Sequence, residues 1–241
     1  MNNYKLKIQY DGTNYSGWQI QENALSVQEI ITGAINLLVK ENINLVGSGR
    51  TDAGVHSLGQ VANFTCEKEL DISRFQHSLN SILPDDISIL NIEQVSDNFN
   101  SRFDAKERAY IYLISKFKSP FYYKYSIYKR ELDVKLLNEL SENFLGEKDF
   151  TSFCRKNSDV KNKICKVNLI SWKETKNFYL FYISANRFLH GMVRTIIGTL
   201  FRVSGMKEGR SELHKIFEDR DRESAGEAVE AKGLFLYNVK Y

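Results

Sequence analysis

The chain has 241 residues, of which 42% are hydrophobic and 26% charged, and its formal net charge is +3. That balance supplies a sizeable apolar core, and it excludes a disordered or strongly polyionic chain. The length suits one large domain or two compact halves.

The three cysteines, Cys66, Cys154 and Cys165, are odd in number, widely spaced and contain no C-x-x-C pair. A disulfide framework and a zinc site are therefore not expected. The N-terminus lacks the apolar core of a signal peptide, and no run approaches membrane-spanning length. The expected setting is cytoplasmic, away from any membrane.

Tyr4, Leu6, Ile8 and Tyr10 alternate with polar residues, the period of a half-buried first strand, and Asp11-Gly12 ends it. Ser26-Val27-Gln28-Glu29 is a capping box. It opens a helix whose apolar face is expected at Val27, Ile30, Ile31, Ala34 and Leu38. A short strand at Ile43–Val46 leads into a glycine-rich loop, and a second strand surrounds Val61–Phe64. Asp71 caps a helix facing inward through Ile72, Phe75, Leu79 and Ile82, which Pro84 stops. Ile87–Val95 reads as a strand.

In the second half, Ala109–Ser115 is a strand with Tyr110 and Tyr112 on one face. Val134–Phe144 is helical, and Leu169–Trp172 with Phe178–Ala185 forms a hairpin. Phe188–Val203 reads as a long buried helix with Arg194 in its middle, and Leu213, Ile216 and Phe217 mark another. Leu234–Tyr241 closes as a strand. The pattern is α+β, divided near residue 105 into an N-terminal half, 1–105, and a C-terminal half, 106–241.

Chemistry centres on Gly49-Arg50-Thr51-Asp52-Ala53-Gly54-Val55-His56. A carboxylate held in a glycine-flanked loop is open to a ligand. Arg50, two residues away, favours its ionised form, and an ionised carboxylate can act as a nucleophile. The bland alternative, a turn-capping aspartate, weighs equally on these residues alone. Asp-Ala-Gly also resembles an aspartic-protease loop, but that chemistry needs a second copy, which is absent. Gly47-Ser48-Gly49 lacks the spacing of a phosphate loop. Arg194 lies among apolar neighbours, where an arginine is costly unless paired. Tyr110 reads equally as a core aromatic, and His56 as a structural hydrogen-bonder. From Arg102 to Arg130 eight basic residues face only Asp104 and Glu107, and aromatics interleave with them. That composition fits phosphate contact and base stacking, as it also fits an ordinary loop with snorkelling lysines.

Several blocks, in order, resemble the tRNA pseudouridine synthase A family. They are Tyr10-Asp11-Gly12 with Tyr15-Ser16-Gly17-Trp18-Gln19, Ser26-Val27-Gln28-Glu29, Gly49 to His56, Leu83-Pro84-Asp85-Asp86-Ile87, Ala105 to Tyr112, Asp149-Phe150-Thr151-Ser152-Phe153, and Ala185-Asn186 to Gly198. The resemblance implies an α+β fold of two RRM-like (ferredoxin-like) halves sharing a mixed, mainly antiparallel central sheet. It implies a homodimer without cofactor or metal, converting uridine to pseudouridine at positions 38, 39 and 40 of the tRNA anticodon arm. Carried onto this chain, Asp52 is the nucleophile and Arg194 its partner. Arg50 helps extrude the target base, Tyr110 packs on that base and takes the C5 proton, and Arg108 joins Arg50 and Tyr110 in binding substrate. Attack at C1′, attack at C6 and a glycal route are all open as first steps. One departure is Cys165, which stands where relatives carry an arginine after the run Arg155 to Val160 and so puts one RNA or structural contact in doubt. The competing readings are the same chemistry on another RNA, such as rRNA, and a non-catalytic RNA-binding protein of the same fold.

Overall fold

The computed structural model describes residues 1–156 and 160–241. Asn157, Ser158 and Asp159, within the run preceding Cys165, lie outside the described residues. In chain order the elements are β1 (Asn2–Tyr10), α1 (Val27–Val39), β2 (Val46–Gly47), β3 (His56–Cys66), α2 (Ile72–Ile82), β4 (Ile87–Val95), β5 (Glu107–Ser115), β6 (Ile127–Tyr128), α3 (Val134–Ser141), β7 (Gly146–Asp149), β8 (Ile164–Glu174), β9 (Phe178–Ala185), α4 (Met192–Ser204), α5 (Gly209–Asp219) and β10 (Leu234–Lys240). The class is α+β, with mainly antiparallel sheet. The chain divides into two compact units, 1–106 with 235–241, and 107–234.

In the first unit β1 lies between β4 and β3, antiparallel to both. The other edge of β3 takes β2 at Ala62–Asn63 and, in parallel, β10 at His56–Ser57. The alternation of β1 turns Tyr4, Leu6, Ile8 and Tyr10 into a core shared with α1 and α2. Full burial of Leu6 and of Ile8 contributes about 1.5–3 kcal/mol each. Both helices start at side-chain caps: Glu29 N–H donates to Ser26 Oγ (3.3 Å) and Arg74 N–H to Asp71 Oδ1 (3.1 Å). The buried line of α1 is Val27, Ile31, Ile35 and Val39, whereas Ile30, Ala34 and Leu38 only flank the core. The helix is rolled from the expected face because Gln28 is also buried. Its Nε2 donates to Leu45 O (2.7 Å) and its Oε1 accepts from Ile20 N–H (3.1 Å).

The second unit is built on the antiparallel order β5-β9-β8-β7, with β6 parallel to the end of β5. Helix α3 packs on β8, α4 on α3, and α5 on α4. Trp172 of β8 donates from Nε1 to Ser141 Oγ (3.0 Å). Phe144, Phe150, Phe153 and Phe217 form a second aromatic cluster, with centroids 5.0–5.9 Å apart. Helix α4 starts at Met192, not at Phe188, because the backbone at Gly191 takes a φ of +72° and leaves the helical region. Arg194 therefore sits in the first turn, not mid-helix. Cys165 is fully buried on β8, opposite Lys148. Burial pushes its thiol up to about 11. All three cysteines are free and buried.

Candidate active site

The Asp52 loop spans the gap between β2 and β3, and its backbone is held from several sides. Thr51 O accepts from Trp18 N–H (3.2 Å), and Gly54 N–H donates to Tyr15 O (3.3 Å). Val55 N–H closes a turn onto Asp52 O (3.1 Å). Thr51 Oγ1 lies 2.8 Å from the buried Tyr10 hydroxyl. At the start of the loop, Gln60 accepts from Ser48 Oγ–H (2.6 Å) and donates from Nε2 to Gly49 O (3.0 Å). A satisfied buried network of this kind rigidifies what it touches.

Gly17 explains how close the two segments come. It has a φ of +100°, and a Cβ there would stand 2.4 Å from Thr51 O and 3.1 Å from the Asp52 carbonyl carbon. The Tyr15–Gln19 block is thus the floor beneath Asp52. The same block is tied outward: Tyr15 O–H donates to Asp86 Oδ1 (2.6 Å), and Val27 N–H donates to Gly17 O (3.2 Å). Four other sequence blocks are thus joined to this loop, two directly and two through the Tyr15–Gln19 segment.

Asp52 is half-buried, Thr51 is buried and Arg50 is exposed. The loop therefore holds its backbone in the core while its tip faces outward. His56 is buried, with Nδ1 accepting from Gly12 N–H (3.1 Å) beside Asp11 Oδ1 (3.0 Å) and its ring stacked on Phe235 (4.7 Å). It anchors the start of β3. Burial holds the Tyr10 phenol in its neutral form, with bonds from Thr51 and Gln60 working against that shift.

In the second unit Tyr110 and Arg108 lie on β5 and Arg194 on α4. Tyr110 is 8% exposed and meets Phe188 edge to face, at 5.1 Å and 90°. Arg108 Nη1 donates to Asn186 O (2.8 Å), at the end of β9. Arg194 is locked to the segment after α5: its Nε donates to Val229 O (2.7 Å), and its carbonyl accepts from Val229 N–H (3.2 Å). That segment crosses α4 so closely that a Cβ on Gly198 would stand 1.7 Å from Glu227 O. Tyr112 O–H donates to Glu230 O (2.8 Å). Burial keeps its phenol protonated, assisted by the Glu230 charge and opposed by the Arg194 charge.

The structure thus groups Arg50 with Asp52 on one loop, and Arg108, Tyr110 and Arg194 within the other unit. Sequence reasoning missed Gln60, Thr51 and Phe188, which support these residues. Gln60 had a legible signal, a polar residue at an inward position of a strand pattern. Among the described residues no group of three His, Cys, Asp or Glu could hold a metal ion.

A family model described as tRNA pseudouridine synthase matches residues 7–104 and 140–241. The chain belongs to the tRNA pseudouridine synthase family. The tRNA pseudouridine synthase A of Caldicellulosiruptor saccharolyticus is 41% identical over 244 residues, covering all of both chains. That of Bacteroides thetaiotaomicron is 40% identical over 246 residues, covering all of this chain and 91% of its own. A chain of the archaeal box H/ACA sRNP Nop10-Cbf5 complex aligns over 92% of this chain and 57% of its own, with 13% identity and a TM-score of 0.39. As a family member the protein is an enzyme, a pseudouridine synthase of the isomerase class. No helix among the described residues is long and apolar enough to cross a membrane.

Proposed function

We propose that this enzyme isomerises uridine to pseudouridine in the anticodon arm of tRNA, at positions 38, 39 and 40, with Asp52 as its nucleophile. The observation that carries the reading is the Asp52 loop. Its backbone is held by Trp18, Tyr15 and Gln60, its Thr51 hydroxyl by Tyr10, and its carboxylate stands at a partly open tip. A carboxylate fixed in this way is oriented before the substrate arrives, and orientation is among the largest contributions a protein can make to a rate. The relatives' shared name, tRNA pseudouridine synthase A, supports tRNA as the substrate.

The reaction breaks the N1–C1′ bond, turns the uracil and forms a C5–C1′ bond. The C5 proton leaves and N1 gains one, so atoms and electrons balance without a redox partner or an energy source. Asp52 supplies the anionic group that opens the reaction at the nucleotide. Arg194 is the cation that pairs with it. Tyr110 packs on the uracil and takes the C5 proton, while Phe188 fixes the tyrosine ring from its edge. Arg50, exposed on the loop, helps draw the nucleotide out of its stack, as chemistry on a stacked base requires. Arg108 contacts the substrate backbone. The halves 1–105 and 106–241 each contribute residues, and the working form is a cytoplasmic homodimer.

The test is a map of modified uridines in total RNA from a strain lacking this gene. Loss of pseudouridine from the anticodon arms of several tRNAs is the expected result. Loss confined to rRNA would overturn the substrate assignment, and no loss anywhere would overturn the activity.

A further inference from the structure

The segment 116–130 of the second unit takes no part in the chemistry described above, yet its surface is unusual. Phe121 is 84% exposed, Tyr123 59% and Tyr128 51%. Single exposed apolar residues are ordinary, but a group of large rings on one loop marks an interaction surface. The loop is not loose. Tyr122 turns inward against Phe117 (5.9 Å) and Phe178 (4.8 Å), Ser126 Oγ–H donates to Tyr122 O (2.8 Å), and β6 is bonded to the end of β5. The outward rings are therefore presented from a built support, which lowers the entropy lost on binding.

Charge selects the partner. No Asp or Glu occurs from Ser115 to Arg130. Lys116 is engaged by Glu174 (2.5 Å), and Arg130 lies 3.7 Å from Glu131. Lys118 and Lys124 stand exposed beside the rings. A second copy of the chain, meeting this surface through a two-fold axis, would bring two lysine-bearing, acid-free loops together. A polyanion with flat, stackable groups is matched instead: lysines meet phosphates and rings meet unpaired bases. From Tyr110 to Ser115 the strand β5 runs five residues, roughly 17 Å at about 3.3 Å per residue. Tyr128, paired opposite Ser115, therefore stands at the far end of β5 from Tyr110.

We infer that the loop bearing Phe121, Tyr123 and Tyr128 with Lys118 and Lys124 is an accessory RNA-binding surface, which holds unpaired nucleotides of the substrate away from the uridine being isomerised. The inference rests on the reading that the substrate is a tRNA. It fixes affinity, and Asp52 fixes chemistry.

The experiment compares full-length wild-type enzyme with Phe121→Ala/Tyr123→Ala and Lys118→Gln/Lys124→Gln. All side chains changed are exposed, and thermal melts check that the fold is retained. Fluorescence anisotropy with a labelled, unmodified tRNA transcript should show Kd raised about 10-fold or more by the ring pair. The lysine pair should flatten the dependence of log K on log salt by about one to two. A ring variant within twofold of wild type overturns the proposal. So does a ring variant that binds tRNA normally but sediments as a smaller species, which would make the loop a protein–protein contact. Wild-type protein that modifies no tRNA would overturn the substrate reading and the accessory surface together. Unchanged binding by the variant, beside an active wild type, overturns the accessory surface alone.

Discussion

Gly17→Ala probes whether the floor under Asp52 sets catalysis. The glycine holds a φ of +100°, which an alanine adopts at a cost of about 1–3 kcal/mol. The new methyl would stand 2.4 Å from Thr51 O, and relief to about 3.0 Å requires a displacement of roughly 0.6 Å. The loop cannot yield freely, because Thr51 is also bonded to Trp18 N–H and to the Tyr10 hydroxyl. The displacement therefore passes to Asp52, the next residue. A misplacement on the order of 1 Å costs about 100-fold in rate. We predict a stability loss of about 2–4 kcal/mol in urea unfolding and kcat for tRNA pseudouridylation lower by about 100-fold. The Kd for tRNA should stay within about threefold, since the phosphate contacts are made elsewhere. Single-turnover assays with a tritium-release readout, on protein kept well below its melting temperature, separate the two effects. A variant with wild-type kcat and wild-type stability would refute the idea that Gly17 positions Asp52.

In the second unit, Gly198→Ala places a methyl 1.7 Å from Glu227 O and should break the bonds between Arg194 and Val229. A loss of about 3 kcal/mol or more is expected in urea unfolding, and a loss under about 1 kcal/mol would contradict the packing described. Alkaline stability follows from the buried phenols of Tyr10 and Tyr112 and from Tyr15, all raised first by burial. Their contribution is fully present below the unfolded value of about 10 and is lost as pH rises beyond it. Melting temperature should fall above about pH 10, and Tyr112→Phe should make that fall shallower while costing about 1 kcal/mol at neutral pH through the lost bond to Glu230 O. An alkaline limb unchanged in Tyr112→Phe would count against its burial. Cys165, with its thiol pushed up to about 11 by burial, should resist iodoacetamide at pH 8 until the protein is unfolded. Rapid native alkylation at Cys165, read by mass spectrometry, would contradict its placement.

Local signals in the sequence were strong where one face met one core. Strand β4 occupies Ile87–Val95 as its pattern predicts, and α2 starts at its Asp71 cap. Features settled by distant partners were not legible. The run Ile43–Val46 pairs only at its end, where Val46 faces Asn63 of β3. The register of β10 against His56 and Ser57 joins residues 179 apart in sequence, and no local period encodes it. The roll of α1 came from Gln28, a polar side chain whose partners, Leu45 and Ile20, are backbone groups. At the candidate site, Asp52 stood out through its glycine neighbours. Gly54 takes a φ of +75°, whereas the passage of Gly17 beneath Thr51 is a contact between blocks and cannot be read from either one. Phe188 was visible only as an apolar residue in a helical pattern, yet it lies outside α4 and supports Tyr110.

The most direct test of the account is Asp52→Ala assayed on unmodified tRNA under single-turnover conditions, with tRNA affinity and melting temperature measured on the same preparation. The account predicts no detectable pseudouridine, with Kd within about threefold of wild type and the fold intact, because the carboxylate makes the reaction and not the complex. Pseudouridine formed at the wild-type rate by that variant would contradict the central claim.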